Sequence, residues 1–82
     1  MAKGRQKIPE DLRGMLRTEW ETVIMQASLS GEDSRIAQMC LLEKLPQMDA
    51  AFELGIHRST VSRRLPEIMT QMRRTAQKMG YL

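Results

Sequence analysis

The stretch Asp49-Ala-Ala-Phe-Glu-Leu-Gly-Ile-His-Arg-Ser-Thr-Val-Ser-Arg-Arg-Leu65 decides the fold of this chain. Gly55 divides it. Glycine readily takes the left-handed backbone conformation that ends a helix and turns the chain, so a short helix over 47–54 is expected to stop there and a fresh one to open near Arg58. Two short helices joined by a glycine-containing turn cross steeply, and their contact residues must be small or closely fitted. Ala51 lies four residues before Gly55, where a larger side chain would hold the helices apart. Leu54, Ile56, Val61 and Leu65 are placed to fill the space beneath. Val61 and Leu65 lie one turn apart and face inward. At about 100° per residue, Ser59, Ser62 and Arg63 then point outward, with Arg58, Thr60 and Arg64 on the flanks. That outer face carries no apolar or acidic side chain and suits a polar, negatively charged partner.

Upstream, Ile8, Leu12, Met15, Leu16, Val23, Ile24 and Ala27 recur at three- and four-residue steps, and Trp20 extends the stripe. This is the period of an amphipathic helix, expected over 9–28. Pro9, Glu10 and Asp11 suit its first turn, and Gly14 costs it about 1 kcal/mol against alanine. Ser30-Gly-Glu-Asp33 reads as a capping box, Ser30 accepting from the N–H three residues on and Asp33 reaching back. A second helix follows over 31–45, with the stripe Ile36, Ala37, Met39, Cys40 and Leu42, and Pro46 sets its end. Downstream, Pro66 is expected to break or kink the helix opened at Arg58, confining it to 58–65. Ile68, Met69, Met72, Ala76 and Met79 give a last stripe before Gly80. The expectation is an all-α fold of about five short helices, with a basic arm at 1–8 and a single helical domain at 9–82.

The chain has 82 residues, enough for one domain and too few for an elaborate enzyme with a deep cleft. Its net charge of +3 conceals a pattern. Lys3, Arg5 and Lys7 make the start basic. Residues 8–53 carry four basic and nine acidic side chains, whereas residues from 54 onward carry six basic ones and Glu67 alone. Positive charge at both ends points to an anionic partner met by those ends. Cys40 is the one cysteine, which excludes an internal disulfide and a disulfide-stapled secreted scaffold. Apolar runs are far shorter than a membrane span requires, and the start lacks the apolar core of a signal peptide. A cytoplasmic, nucleoid-associated location and no membrane partner are the expectation.

The residues Ala-Phe-Glu-Leu-Gly-Ile-His-Arg-Ser-Thr-Val-Ser-Arg-Arg-Leu resemble the helix-turn-helix of bacterial sigma factor region 4 and of Fis-like regulators. The resemblance covers 47–65 closely and 31–80 more loosely; small phage-type transcriptional regulators are similar in size. It implies that helix 58–65 enters the major groove of double-stranded DNA while helix 47–54 crosses above it. Matching positions make Arg58, Ser59, Ser62 and Arg63 the base-edge readers, Arg63 being able to grip guanine through two hydrogen bonds. Gln47, His57, Thr60, Arg64, Arg73 and Arg74 are the candidates for phosphate contacts, which position without reading sequence. His57 stands where the family prefers Ser, Asp or Asn as a helix cap, and Pro66 where many relatives continue the helix. The implied function is a sequence-specific transcriptional regulator, a repressor by analogy. The alternative is a region-4-like adaptor or inhibitor acting on RNA polymerase or another nucleic-acid enzyme.

Other residues admit a functional and a plain interpretation. Lys3, Arg5 and Lys7 suit a minor-groove arm or a solvated tail. Because one recognition helix reads only a few base pairs, a homodimer is expected, with Trp20, Val23 and Ile24 or Met69, Met72 and Met79 at its interface; the plain alternative is core packing, which Met39 and Met48 would share. Cys40 lies in an apolar stripe and reads as an inert buried thiol. One histidine and one cysteine do not make a zinc site, and no glycine-rich phosphate loop is present. No catalytic residue, metal or cofactor is therefore assigned, and the chain is not read as an enzyme.

Overall fold

A computed structural model describes residues 14–82 and is helical, with no strand among the described residues. The basic arm and the part of the expected first helix at 9–13 lie outside the described residues. Helix α1 spans Arg17–Gln26 and α2 spans Gly31–Ala37. The chain continues from α2 into one π-helical turn, Gln38–Leu42. Helix α3 spans Gln47–Leu54 and α4 spans Arg58–Lys78. The all-α expectation holds, and among the described residues there are four α-helices, against about five expected for the chain.

The difference arises at Pro66. Helix α4 runs through it for 21 residues, where a break was expected. Proline removes one intrahelical hydrogen bond and crowds the carbonyl four residues back, at a cost of about 3 kcal/mol. Two features offset this. Pro66 is exposed, so water reaches the Ser62 carbonyl left without its donor. On the opposite side Val61, Leu65, Ile68, Met72 and Ala76 form one buried stripe, and a break would pull its second half out of the core.

The first helix is also shorter than its periodicity. Gly14, Met15 and Leu16 are not helical. The helix starts at Arg17 with Leu16 as its cap residue, whose N–H donates to Glu19 Oε1 at 2.8 Å, so the acid satisfies one of the otherwise unpartnered donors at this end. It ends before Ser28, which takes a φ of 55°. Ser30 caps α2 as expected, its hydroxyl accepting from the Asp33 N–H at 3.1 Å. The Asp33 carboxylate does not complete the box; it turns to Arg64 instead.

The π-helical turn closes on a bond from the Glu43 N–H to the Gln38 carbonyl at 2.9 Å. Cys40 and Leu41 of this turn are buried in one core with Ile36 and Ala37, while Met39 and Leu42 are half-buried. Helical structure stops at Leu42, three residues earlier than Pro46 alone would require. Lys44, at a φ of 58°, turns the chain into α3.

Helix α4 is the spine, against which α1, α2 and α3 all pack. Trp20, Val23 and Ile24 from α1, Ile36 from α2, Cys40 and Leu41 from the π turn, and Ala50 and Ala51 from α3 join its buried stripe in one core. Trp20, Val23, Ile24 and Met72, named as candidates for a dimer interface, are each buried within the chain itself. Met69 and Met79 are half-buried against the same core. Met48, expected inside, is 61% exposed.

Candidate nucleic-acid interface

The corner between α3 and α4 is built from small residues and a left-handed turn. Gly55 has a φ of 68°. Its N–H donates to the Phe52 carbonyl at 3.2 Å, and the Ile56 N–H reaches the Ala51 carbonyl at 3.0 Å. Bonds of this kind satisfy the last carbonyls of a helix while reversing the chain. Ala50 and Ala51 are buried where the two helices meet, and Val61 and Leu65 close the contact from the α4 side. Helix 47–54, the glycine turn and the opening at Arg58 therefore stand where the sequence placed them.

His57 caps α4. The Ser59 N–H donates to His57 Nδ1 at 3.1 Å, which makes Nδ1 the acceptor of the cap. The Ser59 hydroxyl lies 2.8 Å from the same nitrogen. The departure from the usual Ser, Asp or Asn thus keeps the function of a cap with a different acceptor. The His57 carbonyl accepts from Thr60 at 3.0 Å and Val61 at 3.4 Å, starting the helix.

Arg58, Ser59, Ser62 and Arg63 are all exposed, and Thr60 is half-buried. Arg63 lies along its own helix, Nε donating to the Ser59 carbonyl at 3.4 Å. Arg64 is placed differently from its neighbours. Its Nη1 donates to Asp33 Oδ1 at 2.6 Å and sits 3.4 Å from Glu32 Oε1. The bond to Asp33, then the charges of Asp33, Glu32 and Glu67, hold this guanidinium still more firmly in its charged form than usual. Arg64, grouped by sequence with the phosphate contacts, is engaged within the protein.

The unbroken α4 changes the extent of the face. At about 100° per residue, Ser59, Ser62, Arg63, Pro66, Thr70, Arg73 and Arg74 share the side opposite the buried stripe. Glu67 stands at its edge toward Arg64. Arg73 and Arg74 lie ten and eleven positions beyond Arg63, roughly 15 Å along the axis at about 1.5 Å per residue. Sequence reasoning assigned them to a separate helix. Gln47 is half-buried in the first turn of α3.

Sequence reasoning missed the outer face of α3. Phe52 is 83% exposed and Met48 is exposed beside it, one turn earlier, with Asp49 and Glu53 forming an acidic stripe alongside. The signal was present: Ala50, Ala51 and Leu54 define the inward side, which puts Met48 and Phe52 away from it. Among the described residues, no group of three or more His, Cys, Asp and Glu is arranged to hold a metal ion. None of the described helices is long and apolar enough to cross a membrane. Comparison with protein-family models, with curated proteins and with solved structures gives no match.

Proposed function

We propose that this chain is a sequence-specific DNA-binding protein acting as a transcriptional regulator, with the first two turns of α4 entering the major groove. The observation that carries this reading is the pairing of a tight, small-residue corner (Ala51, Gly55, Val61) with an exposed face of Arg58, Ser59, Ser62 and Arg63. A helix presented on such a corner can enter a groove, and its arginines and hydroxyls match the acceptors and donors on base edges. Arg58, Ser59, Ser62 and Arg63 are the base-edge candidates. Gln47, His57, Thr60, Arg73 and Arg74 are the candidates for backbone phosphates, and Lys3, Arg5 and Lys7, which lie outside the described residues, are candidates by sequence for a neighbouring groove. A nucleoid location and repression by occupancy of a promoter belong to the same proposal.

Selection of bound sequences from a random duplex pool tests this. An enriched motif, with affinity falling linearly in log K against log salt, supports it. Failure to enrich any sequence overturns it. Homodimerisation would give two half-sites about 34–36 Å apart and a palindromic motif. Trp20, Val23, Ile24 and Met72 are buried and Met69 and Met79 half-buried, whereas Leu16, Met25, Met48 and Phe52 are apolar groups exposed for a dimer contact. Sedimentation showing only monomer at about ten times the Kd for DNA would remove the dimer.

A second reading has its own observation. The apolar pair Met48 and Phe52 with the acidic pair Asp49 and Glu53 is suited to a protein rather than to a phosphate backbone. It favours an adaptor or inhibitor acting on RNA polymerase or another nucleic-acid enzyme. Substituting Phe52 and Met48 with serine separates the two: loss of a polymerase contact with DNA binding intact supports the adaptor, and the reverse excludes it.

A further inference from the structure

The contact between Asp33 and Arg64 joins residues 31 positions apart and links the first turn of α2 to the first two turns of α4, which carry the proposed DNA face. Both ends are held. The Asp33 backbone is fixed by the Ser30 hydroxyl, and Arg64 follows directly on Arg63 of the outer face. Beneath them the buried stripe from Val61 to Ala76 sets which side of α4 faces the core, and apolar contacts, being non-directional, leave the fine rotation of its first turns to polar contacts. A charge-assisted hydrogen bond is directional and supplies what packing lacks. Partly exposed ion pairs add little to stability, so the consequence of this one belongs to presentation of the face rather than to the unfolding free energy.

We propose that Asp33 and Arg64 are a positioning pair, which fixes the rotation at which residues 58–65 are presented to DNA, and that Arg64 itself contacts no phosphate. This rests on the DNA-binding reading of the outer face and deepens it. Of the three arginines in 58–65, Arg58 and Arg63 then meet DNA and Arg64 aims them.

The test compares wild type, Arg64→Ala, Asp33→Ala and the double variant, each titrated with a labelled duplex of the selected sequence and with a scrambled duplex at several salt concentrations. Arg64→Ala is expected to leave the salt slope unchanged. Arg64→Ala should lower the ratio of selected to scrambled affinity by roughly threefold or more, Asp33→Ala, which leaves Glu32 3.4 Å from Arg64, by no more than that, and the double variant should lose no more than Arg64→Ala. Arg64→Lys, which keeps one charged donor, should recover part of the ratio. The proposal is overturned if Arg64→Ala reduces the slope by about 0.9, as loss of one phosphate contact does, or if the two single losses add. A wild-type chain that binds no duplex would remove the DNA reading by itself. The same four proteins would still decide the pair through amide exchange over 58–65: exchange faster in both single variants alike supports it, and unchanged protection overturns it.

Discussion

The Ile56 N–H donates to the Ala51 carbonyl at 3.0 Å across the left-handed turn at Gly55. This bond joins the last turn of α3 to the start of α4 and sets the corner on which the candidate DNA face depends. A Cβ at position 55 would meet nothing within 4 Å, so the demand for glycine is conformational and not steric. Gly55→Ala is accordingly expected to lower stability by about 1–2 kcal/mol. Urea unfolding should show a lower midpoint with an unchanged slope. An unaltered midpoint would mean that the turn tolerates a side chain at a φ of 68°.

Pro66→Ala should stabilise the protein. It restores a donor to the Ser62 carbonyl and removes the clash of the ring with that turn, worth up to about 3 kcal/mol, less roughly 0.4–1 kcal/mol of chain entropy that proline withholds from the unfolded state. The thermal midpoint is expected to rise. A fall would show that the ring makes contacts that outweigh the missing hydrogen bond.

Burial pushes the Cys40 thiol up to about 11 from its ordinary value of 9.0. The folded chain therefore keeps this proton where the unfolded chain loses it. The stabilisation is fully present below about pH 9 and is lost as pH rises toward 11, by roughly 2 kcal/mol. Unfolding free energies of wild type and Cys40→Ala, measured from pH 8 to pH 11, should converge as pH rises; a constant difference would contradict the assignment.

Arg63→Ala and Arg74→Ala should weaken DNA binding in different ways. Loss of a base contact at Arg63 should reduce discrimination by about 1–3 kcal/mol at one position of the site. Loss of Arg74 should weaken all duplexes alike and reduce the salt slope by about 0.9. Competition titrations with single-base variants of the selected site distinguish these outcomes, and identical behaviour of the two variants would refute the division of roles.

Phe52→Ser and Trp20→Ala provide opposite controls on the core. Phe52 is 83% exposed, and its replacement should change stability by no more than about 0.5 kcal/mol. Trp20 is 6% exposed, and its truncation should cost about 3–5 kcal/mol. Thermal unfolding of both checks which of the two large aromatic side chains the core contains.

The sequence by itself determined the helical class, the α3 boundaries, the turn at Gly55 and the opening of α4 at Arg58. These depend on local chemistry: a period of three to four residues, a glycine free to take positive φ, and small side chains at the crossing. The side of α4 that faces outward near Arg63 was legible for the same reason, since Val61 and Leu65 point the other way. Tertiary structure decided the rest. Pro66 is locally a helix breaker, yet the buried stripe from Val61 to Ala76 carries α4 through it, because burying that stripe outweighs one missing hydrogen bond. For Trp20, Val23 and Ile24 the sequence offered both a core and a dimer interface, with the core favoured for Trp20, and packing against α4 buries all three within the chain. Arg64 was one cation among several along the sequence. Only the fold brought Asp33 to within 2.6 Å of it, because an ion pair between residues 31 positions apart leaves no periodicity for a sequence to display.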